Sequence, residues 1–126
     1  MNSRKPKVMV VDDTPDNLFL MQALLEEQYE VVTAESGPEA LQLLEAPQLP
    51  ELILLDIMMP VMDGHEVLRR VRAKPETAPI PVIFLTAKSD PKSMIEGINL
   101  GARFYVTKPF QIDDLIGKVQ KALKVV

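Results

Sequence analysis

Leu52-Ile53-Leu54-Leu55-Asp56 sets four consecutive apolar side chains directly before a carboxylate. A strand with one wet face alternates. An unbroken apolar run of this length fits a strand covered on both faces, as in a parallel sheet. The design recurs outward from that stretch. Val8-Met9-Val10-Val11 precedes Asp12-Asp13, and Val82-Ile83-Phe84-Leu85 precedes Thr86-Ala87. Tyr29 to Ala34 and Phe104-Tyr105-Val106 are further runs, the latter leading into Thr107-Lys108-Pro109. Between the runs the period becomes helical. Leu18, Met21 and Leu25 share one face, with Leu24 and Gln28 beside them; Ile112, Leu115, Ile116, Val119 and Leu123 do the same near the end. Strands alternating with helices imply βαβ units with right-handed crossovers. The expected fold class is α/β, a doubly wound parallel sheet of five strands and five helices.

Helix starts are marked locally. Ser36 with Glu39, and Asp63 with Glu66, have capping-box spacing. Asp90 before Pro91 reads as an N-cap followed by a first-turn proline. Pro60, Pro75, Pro79 and Pro81 punctuate connections.

Composition narrows the function classes. The chain has 126 residues, 47% of them hydrophobic, which predicts one domain over residues 1–126 with its core in 7–123. Cysteine is absent, which excludes disulfides, thiol nucleophiles and thiolate metal sites. With 14 basic and 18 acidic side chains the net charge is −4, so a nucleic-acid-binding surface is not expected. The apolar runs fall far short of the roughly 18 residues of a membrane span. Arg4, Lys5 and Lys7 are followed by only four apolar residues before Asp12, too few for a signal-peptide core. The expectation is a cytoplasmic protein without membrane contact.

In open α/β sheets ligands bind beyond the carboxyl ends of the strands. Those ends carry Asp12, Asp13, Asp56, Thr86 and Lys108; only the second strand ends blandly, at Ala34-Glu35. Two carboxylates 4 Å apart repel by about 4 kcal/mol at an effective dielectric near 20. Three of them call for protons or a cation, and Mg²⁺ suits an all-oxygen set. With Lys108 beside it, such a rim would receive a dianionic phosphoryl group. Asp56 is then placed to attack phosphorus, since carboxylates form acyl phosphates. Mg²⁺ and Lys108 would neutralise the developing charge, and Thr86 would donate its hydroxyl to a phosphoryl oxygen.

Val10-Val11-Asp12-Asp13, the run from Leu54 through Asp56-Ile57-Met58-Met59-Pro60-Val61-Met62-Asp63-Gly64, Leu85-Thr86-Ala87, and Gly101-Ala102 leading to Tyr105-Val106-Thr107-Lys108-Pro109-Phe110 occur in this order. From Lys7 to Leu123 the chain resembles the receiver domain of two-component response regulators. The resemblance implies a flavodoxin-like sheet of order 2-1-3-4-5. It implies a phosphorylation-dependent signalling switch rather than an enzyme, with Asp56 as phosphoacceptor. Asp12, Asp13, Asp56 and the Met58 backbone carbonyl would serve Mg²⁺. Lys108 would contact the phosphoryl group, with a cis Lys108-Pro109 bond, and Thr86 with Tyr105 would form the switch pair. A histidine kinase or phosphotransfer protein would be the donor. A downstream protein or effector domain would read the face of helix four, strand five and helix five, with phosphorylation-promoted dimerisation through it. Arg103-Phe104 departs from a family pair that is often acidic or small, so the output surface is where this chain differs.

The same residues bear on three other readings. A phosphohydrolase of the haloacid-dehalogenase type needs a second Asp two residues after the nucleophile, where this chain has Met58. A phosphorylation-independent interaction module would bury needless charge. A dinucleotide domain lacks its Gly-rich loop after the first strand. His65, the only histidine, is expected to be exposed and inert; Arg69, Arg70, Arg72 and Lys74 to form a solvated helix face and its end. Met58, Met59 and Met62 are expected to fill loop and core gaps. Met58 and Lys88 are expected to flank the path of hydrolytic water and slow dephosphorylation. Tyr105 is expected to turn inward once Thr86 is drawn to the phosphoryl group, with Phe104 and Arg103 as partner anchors.

Overall fold

The computed structural model describes residues 5–86 and 91–124. Five strands alternate with five helices: β1 (Lys7–Val11), α1 (Pro15–Leu25), β2 (Glu30–Ala34), α2 (Gly37–Leu43), β3 (Leu52–Asp56), α3 (Gly64–Ala73), β4 (Val82–Thr86), α4 (Pro91–Asn99), β5 (Phe104–Thr107) and α5 (Ile112–Leu123). All neighbouring strands pair in parallel, in the order β2-β1-β3-β4-β5. The expected α/β doubly wound class and strand order are both observed.

Position in the sheet explains strand composition. β3 and β4 are internal, and all five residues of each are buried. β2 is an edge and its middle residues are only half-buried, which is why Thr33 and Glu30 are tolerated there. Strand alternation sorts the core into two layers. Val8, Val10, Leu52, Leu54, Ile83, Leu85 and Val106 face Leu18, Met21 and Leu25 of α1 and Leu115 and Val119 of α5. Met9, Val11, Ile53, Leu55, Val82 and Phe84 face Ala40 of α2 and Val67, Leu68 and Val71 of α3. Each fully buried side chain of this size stabilises the fold by roughly 1.5–3 kcal/mol.

Two expected N-caps are made. Ser36 Oγ accepts from Glu39 N at 3.2 Å, and Asp63 Oδ1 from Glu66 N at 2.9 Å. The return bond of the first box goes one residue further back, from Glu35 N to Glu39 Oε1. The caps and side chains expected at Asp90, Ala87 and Lys88 lie outside the described residues. Ile112 departs from its expected packing and is 54% exposed, because it opens α5 before the helix reaches the sheet. Among the described residues no helix is long and apolar enough to cross a membrane.

Candidate phosphoacceptor site

Alternation along the strands also decides which functional side chains meet. Asp12, Asp56 and Lys108 fall in phase with Val10, Leu54 and Val106, on the α1–α5 side of the sheet. Thr86 and Tyr105 fall in the opposite phase, with Phe84. The charged residues therefore gather at one corner of the rim, and the expected switch pair lies across it.

At that corner Asp12 is fully buried and Asp56 is 3% exposed. Lys108 Nζ stands 3.0 Å from Asp12 Oδ2 and 3.3 Å from Asp56 Oδ1. The Lys108-Pro109 peptide is cis, as expected. Asp12 is held further by Thr14 N, donating to Oδ1 at 2.9 Å, and by Asn17 Nδ2, donating to Oδ2 at 3.2 Å. Asp12 thus both forms a turn and carries one charge of this corner. Burial first, then the Asp12 charge, pushes the Asp56 carboxyl from its ordinary 3.8 up to about 6; Lys108 pulls the other way.

Ligand atoms of Asp12, Asp13 and Asp56 lie within 4.8 Å of one another, with Asp13 exposed. Opposed oxygens stand about 4 Å apart across an ion bound at the 2.0–2.1 Å typical of Mg²⁺. The three carboxylates need only a slight closure or one intervening water. The donor set is all oxygen, which fits a hard divalent cation and excludes a thiolate-type metal.

The loop after β3 is folded back on this corner. Ile57 N donates to Leu85 O at 3.2 Å, and Gly64 N to Ile57 O at 2.8 Å. A Cβ on Gly64 would sit 2.5 Å from the Asp56 carbonyl oxygen, so the approach requires glycine. At the tip, Met62 N donates to Pro60 O at 2.8 Å around Val61, whose φ is 72°. That is a γ-turn with a left-handed centre, costly for a β-branched residue. Met59 is buried and Met62 partly so, as expected of gap-fillers. Met58 differs: its side chain is 73% exposed and fills no core gap.

Thr86 is buried at the end of β4. Tyr105 is already turned inward. Its ring lies 5.6 Å from Phe84, and its hydroxyl donates to Met94 O at 2.7 Å and Ser93 O at 3.3 Å. The pocket that Tyr105 was expected to enter only after phosphorylation is occupied by its own ring. Burial, then the Glu96 charge, pushes its phenol above the ordinary 10.0. Phe104 packs half-buried against the α1–α5 layer, so it is not a free partner anchor, whereas Arg103 is exposed.

Two more expectations are corrected. His65 is buried at 6% exposure, edge-on to Phe84 at 5.3 Å, with Nε2 3.1 Å from Ser93 O. The third residue of its pentad Gly64-His65-Glu66-Val67-Leu68 is the solvent-facing one, and His65 falls on the covered face instead. Arg72 is not a solvated charge. Its Nη1 donates to Ala78 O and Ile80 O, and its Nη2 to Gly101 O, stitching two loops together. Arg69 and Arg70 do pair at the surface with Glu66, and Arg69 also with Glu96 at 2.8 Å. Sequence reasoning missed Asn17, whose place in the first turn of α1 gives no sign of its bond to Asp12.

Comparison with known proteins agrees with this geometry. Residues 8–120 match the family described as the response regulator receiver domain. The chain is 45% identical over 111 residues to the response regulator PleD of Caulobacter vibrioides, covering 87% of this chain and 24% of that protein. It is 44% identical over 118 residues to a probable cyclic di-GMP phosphodiesterase of Vibrio cholerae, covering 93% of this chain and 26% of that protein. The chain thus spans about a quarter of the length of these curated relatives. The chemotaxis protein CheY4 of Vibrio cholerae superposes with a TM-score of 0.89 at 32% identity, over 94% of this chain and 99% of that one. The receiver domain of the sensor histidine kinase PA1611 of Pseudomonas aeruginosa, solved with a magnesium ion coordinated in its active site cleft, gives 0.85 at 28% identity, over 94% and 98%.

Proposed function

The chain belongs to the response regulator receiver family of phosphorylation-dependent signalling switches, and on that premise we propose that Asp56 is its phosphoacceptor. The observation that carries the assignment is the buried Asp56 carboxylate, faced by Asp12 and tethered by Lys108 at the sheet's carboxyl rim. An Asp56 oxygen attacks phosphorus as the N–P bond of a donor histidine breaks, and the departing imidazole takes a proton. Lys108 offsets charge on the phosphoryl oxygens, and Asp12, held by Thr14 and Asn17, keeps Lys108 aimed. Asp12, Asp13, Asp56 and the Met58 carbonyl are the residues that would hold Mg²⁺. That ion, when bound, supplies further positive charge against the same oxygens.

Thr86 and Tyr105 form the switch pair in this reading. Both lie in the same strand phase on adjacent strands, and Thr86 is the residue of β4 nearest the rim. Residues 7–123 act as one receiver unit, whose own chemistry is self-phosphorylation and self-dephosphorylation, in a cytoplasmic setting. Its donor is a histidine kinase or phosphotransfer protein. Its reader docks on the face of α4, β5 and α5, where Ile95, Ile98 and Ile112 are more than half exposed, and phosphorylation promotes pairing of copies there. Nucleic acid and membrane are not direct partners of this unit.

The test is incubation with acetyl phosphate and Mg²⁺, followed by intact mass. Wild type gains one phosphoryl mass, and Asp56→Ala gains none. Labelling of Asp56→Ala would sink the assignment.

A further inference from the structure

Three elements meet beneath the first turn of α4. From α3, His65 Nε2 lies 3.1 Å from Ser93 O; from β5, the Tyr105 hydroxyl reaches Ser93 O at 3.3 Å and Met94 O at 2.7 Å. A carbonyl only accepts, so Nε2 carries the proton and donates. Phe84 supports both rings, His65 edge-on at 67° and Tyr105 tilted at 40°. Gly97 opens the space: a Cβ there would collide with the Tyr105 hydroxyl and lie 2.7 Å from Phe84 Cε2. On the outside, Arg69 Nη2 and Glu96 Oε2 tie α3 to α4 at 2.8 Å. Glu96 Oε1 lies 3.9 Å from His65 Nδ1.

His65 is also the residue after Gly64, which is pinned to the strand end by its bond to Ile57 O, one residue beyond Asp56. A continuous set of contacts therefore runs from Asp56 through Ile57, Gly64 and His65 to the first turn of α4. This route does not pass through Thr86, and it ends at the carbonyls that hold Tyr105.

We propose that His65 is a positioning residue of the switch: its Nε2–H clamps the first turn of α4 to the Asp56 loop and so holds Tyr105 inward. The proposal rests on the switch reading above. It assigns a role to a side chain that touches neither phosphoryl group nor metal. The imidazole places a donor against a carbonyl of the first turn of α4, and an apolar residue there would remove that tie between α3 and the turn whose carbonyls hold Tyr105. A net hydrogen bond of ordinary strength changes the inward population of Tyr105 by about two- to tenfold.

The experiment uses the whole chain labelled with 3-fluorotyrosine. The chain has two tyrosines, and Tyr29 lies in the α1–α5 layer, so it serves as an internal reference for folding. His65→Phe keeps a ring on Phe84 and removes the donor. His65→Gln and His65→Met are matched in length and differ in the donor. The ¹⁹F signal of Tyr105 is read before and after acetyl phosphate with Mg²⁺, beside intact mass. The expected result is a Tyr105 signal displaced toward its solvent-exposed position in His65→Phe and His65→Met, restored in His65→Gln, with Tyr29 unmoved and all variants still phosphorylated. Should any variant lose the folded Tyr29 signal, the remaining donor and non-donor variants make the comparison. A Tyr105 signal in His65→Phe and His65→Met that coincides with wild type in both states overturns the clamp. So does a His65→Gln signal displaced as far as His65→Met. Wild type that takes no phosphoryl group overturns the switch reading instead, and the unphosphorylated spectra then decide the clamp alone.

Discussion

The two sides of the sheet end in different chemistry. On the α1–α5 side the central strands offer only aliphatic side chains, and the same alternation runs on into Asp12, Asp56 and Lys108 at the rim. On the α2–α3–α4 side the layer carries Phe84 and Tyr105 and, at its upper end, buried His65 and Thr86. The first arrangement is held by short charge-assisted contacts at the strand ends. The second is directional but adjustable, since its hydrogen bonds run to the backbone of one short helix. A phosphoryl group needs a site that does not move when charge arrives, and a signal needs an element that does. On the proposed reading, strand alternation separates the two tasks while leaving them one residue apart in the register of β3 and β4.

The sharpest way to break this contrast is to remove the cation from the charged side. Lys108→Met leaves Asp12 and Asp56 facing each other in a buried corner, and losing one partner of a buried ion pair costs about 3–5 kcal/mol. Urea unfolding at pH 8 without Mg²⁺ should show a loss of that order. It should shrink at pH 5, where Asp56 takes a proton, and added Mg²⁺ should restore part of it. An unchanged midpoint at both pH values would mean the corner tolerates bare charge.

Asp56→Asn tests the same corner with the opposite sign. The folded-state value of about 6 lies above the ordinary 3.8, so the folded protein binds the proton more tightly than the unfolded chain does. The stability linked to this group is full below pH 3.8 and is lost as pH rises through about 6, a difference of about 3 kcal/mol. In chelator, Asp56→Asn should therefore exceed wild type at pH 8 by an amount approaching that figure, and the advantage should fade toward pH 4. Equal stability of the two proteins at pH 8 would contradict the burial argument.

On the adjustable side, Gly97→Ala places a methyl group against Tyr105 and Phe84. Overpacking costs about 1–3 kcal/mol, or less if Tyr105 swings outward. Thermal unfolding gives the first, and exposure of Tyr105 to a fluorescence quencher the second. A variant matching wild type in both would show that α4 does not press on Tyr105. The smallest effect belongs to neither side. Val61 is 97% exposed with φ 72°, so Val61→Gly relieves a left-handed strain of about 1–2 kcal/mol against glycine's entropy cost of about 0.5–1 kcal/mol. A net gain of about 0.5–1 kcal/mol in urea unfolding is expected, with no change at the rim.

What could be read from the linear chain was whatever depends on near neighbours. Apolar runs ending in Asp12, Asp56, Thr86 and Lys108 announced both the strands and the rim, because a parallel sheet aligns its carboxyl ends whatever the details of packing. Ser36 and Asp63 announced helix starts, since a cap bonds within its own turn. Side chains whose fate depends on distant backbone were misread. Arg72 looked like surface charge until Ala78, Ile80 and Gly101 brought three carbonyls to it. His65 looked inert until α4 was laid across it. Tyr105 was expected to turn inward only after phosphorylation, and it is already seated under α4.

By itself, then, the order of residues determined the fold class, the strand order through family resemblance, and the four charged groups that gather at the rim. Tertiary structure alone decided how Lys108 is shared between Asp12 and Asp56, and what His65 and Tyr105 hold. The physical reason is range. Hydrophobic periodicity and capping act within a few residues and are written along the chain. Desolvation of Asp56 and hydrogen bonds to the carbonyls of another helix exist only once segments tens of residues apart have closed around them.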